Sequence, residues 1–300
     1  MLRSWAVLLF VAISAVARGN CSNNPADRET SENSLGDCVD SNHTAGRTNA
    51  KPDPRAFEDT GAENELLLMA NHSRELAGAP ALRADNSLLE AARRHAQLMI
   101  ASQQMEHQYL GEADLMQRIS QAGPLKMDYA GENIAYATCP TSANEAFMHS
   151  PPHRKNLLDH EFNVAGIAAI WNHGRLYVVQ DFAHEIVSYS SSESNQLVGH
   201  AVSQVRREAG LAELKQIAPA KLDDAACSLS DESRPNAHLL ASSYSRSRII
   251  VYTQTHPEEL PQAARRALVD PNAREFAVGS CYARNSTYPT GTYWVAVLLY

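Results

Sequence analysis

Short sequence matches recur in the same order in both halves of the chain, and this repetition constrains the fold more than any other feature. Residues 77–82 (AGAPAL) resemble 209–214 (AGLAEL), and 87–92 (SLLEAA) resemble 221–226 (KLDDAA). Three further matches are 153–159 with 264–270, 162–166 with 276–279, and 177–179 with 293–295. Five ordered matches indicate a degenerate internal duplication with a linker around 188–194. The alternative is an unrelated small domain in the last part of the chain.

The charge balance narrows the classes of partner. The 300 residues carry 26 Lys and Arg against 34 Asp and Glu, a formal net charge of −8 at pH 7. DNA, RNA and anionic lipids are bound through basic faces, so this balance argues against nucleic acid and membrane surfaces as partners. Hydrophobic residues make up 44% of the chain, which is typical of a folded protein, and the length allows one large domain or two modest ones.

The N-terminus has the pattern of an export signal. Arg3 precedes the apolar run 5–17 (WAVLLFVAISAVA), which ends in the small-x-small sequence that a signal peptidase accepts. The run is shorter than the roughly 20 residues of a membrane span, although an uncleaved anchor is the alternative. We therefore predict a signal peptide at 1–17, no transmembrane segment after its cleavage, and a secreted protein that is periplasmic or extracellular.

Composition separates this signal from the first predicted domain. Residues 18–61 are rich in Asn, Ser, Asp, Thr, Gly and Pro, so we predict a disordered linker there. Helical periodicity begins at Glu63, and strand patterns follow at 164–171 and 176–183. Helices that precede and separate strands are typical of an α+β fold. The two predicted domains are 62–187 and 195–300.

Export makes disulfide bonds possible, and the chain has five Cys. Cys21 and Cys38 are candidates for a local bridge. Cys227 and Cys281 are candidates within the second domain, where a helix packed on a sheet could bring them together. Because the number is odd, one Cys is left over, and we expect Cys139 to be a free thiol buried among apolar groups.

Three polar side chains in the first predicted domain are candidates for a common site. His107 follows a predicted helix, Glu132 enters an apolar run, and His153 follows two prolines. Two imidazoles and a carboxylate suit a zinc ion with one open position, although the wide spacing is not that of a local ligand motif. The sequence match places Ala264 at the position of His153, so the second half has lost this group. His95 lies on an apolar helical stripe and is interpreted as a packed, hydrogen-bonded core residue.

Several motifs lie in a fixed order between Glu63 and Ala183. They are NHSR (71–74) with AG (77–78), AARRHA (91–96), GENIA (131–135), SPPHRKNLL (150–158) and VAGIA (164–168). In these motifs the chain resembles the CAP superfamily of cysteine-rich secretory, antigen 5 and pathogenesis-related proteins, and in particular its bacterial secreted SCP-like branch. The ordered Gly-Glu-Asn and Ser-Pro-x-His-Arg-x-Asn motifs carry most of this resemblance. The second half resembles the family weakly, as a degraded copy.

The resemblance implies an α-β-α sandwich with a central antiparallel sheet, followed by a second, degenerate CAP-like domain. It also implies a cleft in which two His and acidic residues hold a divalent ion, such as Zn²⁺, in some members. By position, these residues are His107, Glu132 and His153. The chain departs from the family pattern at three positions. Phe147 replaces a usual Trp, and Pro152 replaces a usual Gly. The family's second cleft Glu falls near Ser150, which has no carboxylate. The change to Pro152 bears on the aim of His153, because proline cannot adopt the positive φ that is open to glycine.

Three functions fit these features. The first is a non-catalytic extracellular binding module whose cleft takes a small ligand, lipid or peptide, and it is favoured because no Ser or Cys nucleophile with an evident base stands out. The second is a metal-assisted, peptidase-like hydrolase in which the two His ligate zinc and Glu132 ligates it or acts as a base on bound water. The third is structural, with the three side chains forming a buried polar network between the sheet and its helices.

Overall fold

The computed structural model describes residues 55–300, and these divide into two compact units. Unit 1 ends at Glu185, and unit 2 runs from Ile186 to Tyr300 and includes the short segment Lys126–Asp128. The predicted signal peptide 1–17 and the predicted linker up to residue 54 lie outside the described residues. Within the described part, no helix has the length and apolar character needed to cross a bilayer.

Unit 1 contains five helices and five strands among the described residues. In chain order they are β1 (Phe57–Glu58), α1 (Thr60–Leu76), β2 (Arg83–Ala84), α2 (Asn86–Ser102), α3 (Leu115–Ala122), β3 (Met127–Ala137), α4 (Pro140–His149), α5 (Pro151–Leu158), β4 (Val164–Asn172) and β5 (Arg175–Glu185). The sheet order is β1-β4-β5-β3, and β2 pairs in parallel with β4. The two strands expected near 164–171 and 176–183 are present as the antiparallel pair β4–β5. Regular structure begins inside the predicted linker, because β1 pairs with β4 and α1 begins at Thr60.

Aspartate caps fix the starts of the long helices. The side chain of Asp59 accepts a hydrogen bond from the backbone N–H of Ala62, and Asp85 accepts from the N–H groups of Ser87 and Leu88. These side chains satisfy backbone donors that have no partner inside the helix. The N-cap of α2 is therefore Asp85.

The two faces of the unit 1 sheet are buried by different helices. One cluster joins α1, α4 and α5 to alternate sheet residues such as Ala165 and Ile167. A second cluster joins α2 to the intervening residues, among them Ala168 and Ile170. Successive residues of a strand point to opposite faces, so a strand covered on both sides is apolar throughout, as β4 is. The predicted α-β-α sandwich is therefore confirmed for unit 1.

Unit 2 has the same kind of layering. Its elements are α6 (Ser191–Glu208), β6 (Lys215–Gln216), α7 (Leu222–Ser228), α8 (His238–Ala241), β7 (Arg248–Gln254), α9 (Gln262–Leu268), β8 (Glu275–Ala283) and β9 (Thr292–Leu299). The sheet order is β6-β8-β9-β7, with α6 and α9 packed on one face and α7 on the other. The serine-rich stretch predicted as a linker begins a helix instead, because Ser190 and Glu193 form a capping box at the start of α6.

A buried arginine occupies matching places in the two units. In unit 1 the Nη1 of Arg74 donates hydrogen bonds to the carbonyls of Leu157 and Asp159, each at 2.9 Å. In unit 2 the Nη1 of Arg206 donates to the carbonyls at 268 and 270, at 2.8 and 2.9 Å. The sequence match of 153–159 with 264–270 aligns the same carbonyls. Both arginines thus connect the first helix of their unit to the segment that precedes the central hairpin.

Two observations relate the strands of the units differently. β2 pairs in parallel with β4 at Val164, and β6 pairs in parallel with β8 at Glu275, which aligns Val164 with Glu275. Gly166 lies against Leu88 at the start of α2, and Gly279 lies against Leu222 at the start of α7, which agrees with the sequence match of 162–166 with 276–279.

The described cysteines are oxidised. Cys227 on α7 is bonded to Cys281 on β8, with 5.0 Å between their Cα atoms, which confirms the predicted pair. Cys139 is also disulfide-bonded, so the prediction of a buried free thiol is wrong. It lies half-buried at the N-cap of α4, not in the apolar interior, and this position leaves its sulfur accessible for pairing. Cys21 and Cys38 lie outside the described residues.

Candidate functional site

The three predicted site residues come from three different elements of unit 1. His107 lies in the loop after α2, Glu132 lies in the middle of β3, and His153 lies in the first turn of α5. The Nδ1 of His107 is 2.8 Å from the Oε1 of Glu132. His153 packs edge-on against Phe147, with ring centroids 5.5 Å apart. The structure therefore brings His107 and Glu132 into direct contact.

His153 lies within electrostatic reach of this pair. Burial lowers the pKa of His153, and positive charge on His107 lowers it further. The Nδ1 of His153 is buried and has no hydrogen-bond partner. The side chain of His107 is 30% exposed, whereas that of Glu132 is 4% exposed. His153 is thus partly buried and within the electrostatic influence of His107, which is the exposed member of the pair with Glu132.

Glu132 belongs to a larger ionic network that the sequence did not predict. Its Oε2 accepts a hydrogen bond from the Nη2 of Arg118 at 2.6 Å, and the Nε2 of His95 lies 3.7 Å away. Burial alone would raise the pKa of Glu132, but the charges of His95, Arg118 and His107 together lower it to about 2. Glu132 is therefore a carboxylate throughout the physiological range.

Glu112 closes the network on the far side of His95. Its Oε1 contacts both the Nδ1 of His95, at 2.7 Å, and the Nη1 of Arg118, at 2.9 Å. The other ring nitrogen of His95 is 2.9 Å from the carbonyl of Glu106. Because both nitrogens of His95 face acceptors, the doubly protonated ring is the form that satisfies them. The interpretation of His95 as a packed, hydrogen-bonded core residue is confirmed, and the residue also belongs to the site network.

A cluster of amide side chains contacts the backbone at His153 and at Glu132. The Nδ2 of Asn133 donates to the carbonyl of His153 at 3.1 Å and to the Oε1 of Gln180 at 3.2 Å. The Nδ2 of Asn156 donates to the carbonyl of Glu132 at 3.0 Å. Pro152 stands in the first turn of α5, where the fixed φ of proline suits a helix.

The three predicted ligands differ in how far other contacts already engage them. Each oxygen of Glu132 accepts one hydrogen bond, from His107 or from Arg118, so the carboxylate orients His107. His107 has its Nδ1 bonded to Glu132, which leaves its Nε2 free of that contact. Among residues 55–300, no group of three or more His, Cys, Asp and Glu side chains is arranged to hold a metal ion. The Nδ1 of His153 is a second imidazole nitrogen without a hydrogen-bond partner.

A separate groove lies on the α4–α5 side of unit 1. Its volume is about 620 Å³, and it is lined by the end of α4, by α5 and by residues 159–161. His107, Glu132 and His153 are not among its lining residues. The predicted cleft around the three side chains is therefore a different feature from this groove.

The pKa of His153 provides a direct test of its contact with His107. Its folded-state pKa lies below the ordinary value of 6.5, so His153 contributes its full stability above about pH 6.5 and loses it as the pH falls through the folded value. We expect His107→Gln to raise the pKa of His153, because this change removes one of the two causes of the shift. Titration of the ring protons by NMR would measure it, with His72→Gln, 69% exposed on α1, as the control. An unchanged pKa in His107→Gln would show that the rings do not interact.

Comparisons with known proteins give one family match and several similar structures. Residues 67–182 match the model of the CAP family, described as the cysteine-rich secretory protein family. An extracellular SCP-domain protein of Bacillus anthracis is 24% identical, with a TM-score of 0.39, and the match covers 42% of this chain and 41% of that one. An outer surface protein of Borrelia burgdorferi is 17% identical, with a TM-score of 0.41, over 44% of this chain and 99% of that one. A cysteine-rich secretory protein of Staphylococcus aureus is 18% identical, with a TM-score of 0.34, over 47% and 44%. The search of curated proteins gives no match.

Proposed function

Since residues 67–182 form a domain of the CAP superfamily, we propose that this domain is a non-catalytic binding module that takes a divalent cation or a small ligand between His107 and His153. The proposal rests on two imidazoles, one held in orientation by a hydrogen bond and one with a nitrogen that has no hydrogen-bond partner. His107 is oriented by Glu132 at 2.8 Å, while the Nδ1 of the neighbouring His153 is buried without a partner. A bound group that accepts or coordinates these nitrogens would remove the cost of the unpaired atom.

The state of Glu132 favours binding over hydrolysis. A general base works best with a pKa near the working pH, and the pKa of Glu132 lies near 2. Its two oxygens already accept from His107 and Arg118, so an attacking water would compete with these donors for the carboxylate. The metal-assisted hydrolase remains the alternative that uses the same residues, and it predicts turnover of peptide or ester substrates that chelators abolish.

Unit 2 supports this assignment by contrast. We infer that it is a degenerate copy of the CAP domain, because its strand order and its buried arginine match those of unit 1. Ala264, which aligns with His153, is 3% exposed and packs in the apolar core with α6. The copy therefore has the layered fold without this imidazole, and we place the binding function in unit 1. The apolar run at 5–17 supports export of the whole chain.

Zinc is the probe for the two-imidazole site. We expect the mature protein to bind one equivalent of Zn²⁺ at pH 7.5, and His107→Ala or His153→Ala to weaken binding by at least about 100-fold. Isothermal titration with zinc chloride and elemental analysis after dialysis would measure both quantities. Imidazole ligands must be neutral, so affinity is expected to fall as the pH drops below about 6.5.

Matched controls separate binding from structure. His72→Ala, on the exposed face of α1, should leave zinc affinity unchanged. His153→Ala should change the melting temperature little, because its ring makes one aromatic contact and no side-chain hydrogen bond. A large loss of stability in His153→Ala with zinc affinity unchanged would favour the purely structural network. Chelator-sensitive turnover by the zinc-loaded protein would instead establish the hydrolase.

A further inference from the structure

A carboxyl group lies buried beside the site without any N–H group that donates to it. Asp181 is on β5, is 0% exposed, and its carboxyl group meets the carboxyl group of Glu132, so a hydrogen bond between them needs a proton on one of the two. It interacts electrostatically with Glu132 and Arg118 in the same interior. Unpaired buried carboxyl groups are rare because removing them from water costs free energy that no contact returns.

Unit 2 shows that the fold does not need this carboxyl group. In the strand register that both units share, Val164 corresponds to Glu275. Two residues further along, the cross-strand partner on β5 is Asp181, and the partner on β9 is Leu298. Leu298 is 0% exposed and packs in an apolar cluster with α7. Aligning Gly166 with Gly279 gives Ala296 as the counterpart instead, and it too is 0% exposed. By either alignment an apolar side chain fills the equivalent position in the unit that lacks the imidazole of His153.

The charges of the network favour the neutral, protonated form of Asp181. Arg118 is already shared by two carboxylates, because it donates to both Glu112 and Glu132. Burial raises the pKa of Asp181 well above its ordinary value, and the carboxylate of Glu132 raises it further, against the opposing effect of Arg118. The neutral acid carries an O–H group, and the Glu132 carboxylate is the neighbouring acceptor with spare lone pairs.

We propose that Asp181 is a positioning residue for the His107–Glu132 pair, holding the Glu132 carboxylate in place by donating its O–H to it. This step rests on the proposed binding function, because the oriented His107 is the group that meets the ligand. Two hydrogen bonds in series then set the orientation of the site. Asp181 holds the carboxylate of Glu132, and Glu132 holds the ring of His107 with its proton on Nδ1. A retained polar group that weakens the fold is typical of a functional site.

Two substitutions distinguish positioning from packing. Asp181→Asn keeps a neutral donor of the same shape, whereas Asp181→Leu introduces an apolar side chain, as unit 2 has at this place. We expect Asp181→Leu to raise the melting temperature, to lose the single Nδ1-protonated form of His107, and to weaken zinc binding by about 10–100-fold. Asp181→Asn should retain the His107 signature and the affinity. Long-range ¹H–¹⁵N spectra of the imidazole nitrogens report the tautomer without any ligand present.

The outcomes separate this proposal from the binding function. If Asp181→Leu leaves the His107 tautomer unchanged, or if Asp181→Asn loses it as well, Asp181 does not position the pair. If wild type binds no zinc but the tautomer responds as expected, positioning stands and zinc binding is wrong. Should Asp181→Leu fail to fold, Asp181→Ala makes the same comparison without added volume.

Discussion

Arg74→Met is expected to lower the free energy of unfolding of unit 1 by about 3–5 kcal/mol. Arg74 is 0% exposed, and its guanidinium donates to four backbone carbonyls at distances of 2.7–2.9 Å. These carbonyls belong to Pro80, Leu157, Asp159 and Phe162. Methionine fills much of the volume but donates nothing, so the buried contacts to the carbonyls of Leu157 and Phe162 are lost, at about 1–3 kcal/mol each before relaxation, together with the part-buried contacts to Pro80 and Asp159.

The two units must be followed separately to measure this effect. Trp171 lies in unit 1 and Trp294 lies in unit 2, so a Trp294→Phe background leaves Trp171 as the reporter of unit 1 during urea unfolding. Arg94→Met, at an exposed position on α2, is the control for loss of charge alone and should change stability by less than about 0.5 kcal/mol. An Arg74→Met protein as stable as the Arg94→Met control would mean that the four carbonyls find other partners at little cost.

The fold was predictable where local pattern decides structure. The apolar stretches 164–171 and 176–183 indicate the two central strands, and they form β4 and β5. The serines at 190–192 and 194 are typical of a linker by composition, but serine also caps helices. Ser190 followed three residues later by Glu193 is the spacing of a capping box, and this signal could have placed α6 correctly.

The site was predictable only in part, because its connections are long-range. The motif residues indicate His107 and Glu132, and the structure shows them in contact. No sequence spacing shows that Arg118 on α3 forms an ion pair with Glu132 on β3, and this ion pair keeps Glu132 a carboxylate that can orient His107. A polar residue within an apolar pattern is the signal that could have been used. Arg118 on the buried side of α3 and Asp181 in an apolar strand both have it.

Gly166→Ala is expected to destabilise unit 1 by about 3 kcal/mol, because α2 crosses β4 in backbone contact at this glycine. A Cβ at Gly166 would lie 2.0 Å from the backbone nitrogen of Leu89 and 2.2 Å from the carbonyl carbon of Leu88. Both atoms belong to the first turn of α2, whose start is fixed by the Asp85 cap, so the helix must move as a body to relieve the clash. Moving α2 also displaces His95 from Glu112, and the effect should therefore reach the site network.

Gly199→Ala is the matched control, since the contact there is with a side chain that can move. A Cβ at Gly199 would lie 2.7 Å from the Oε1 of Gln216, the end of a flexible, exposed side chain. Gly199 lies within α6, where alanine favours the helix by up to about 1 kcal/mol. We therefore expect Gly199→Ala to be neutral or stabilising in the same urea measurement. Equal destabilisation by both substitutions would show that any added methyl group is costly in this chain, and that the approach of α2 to β4 has no special role.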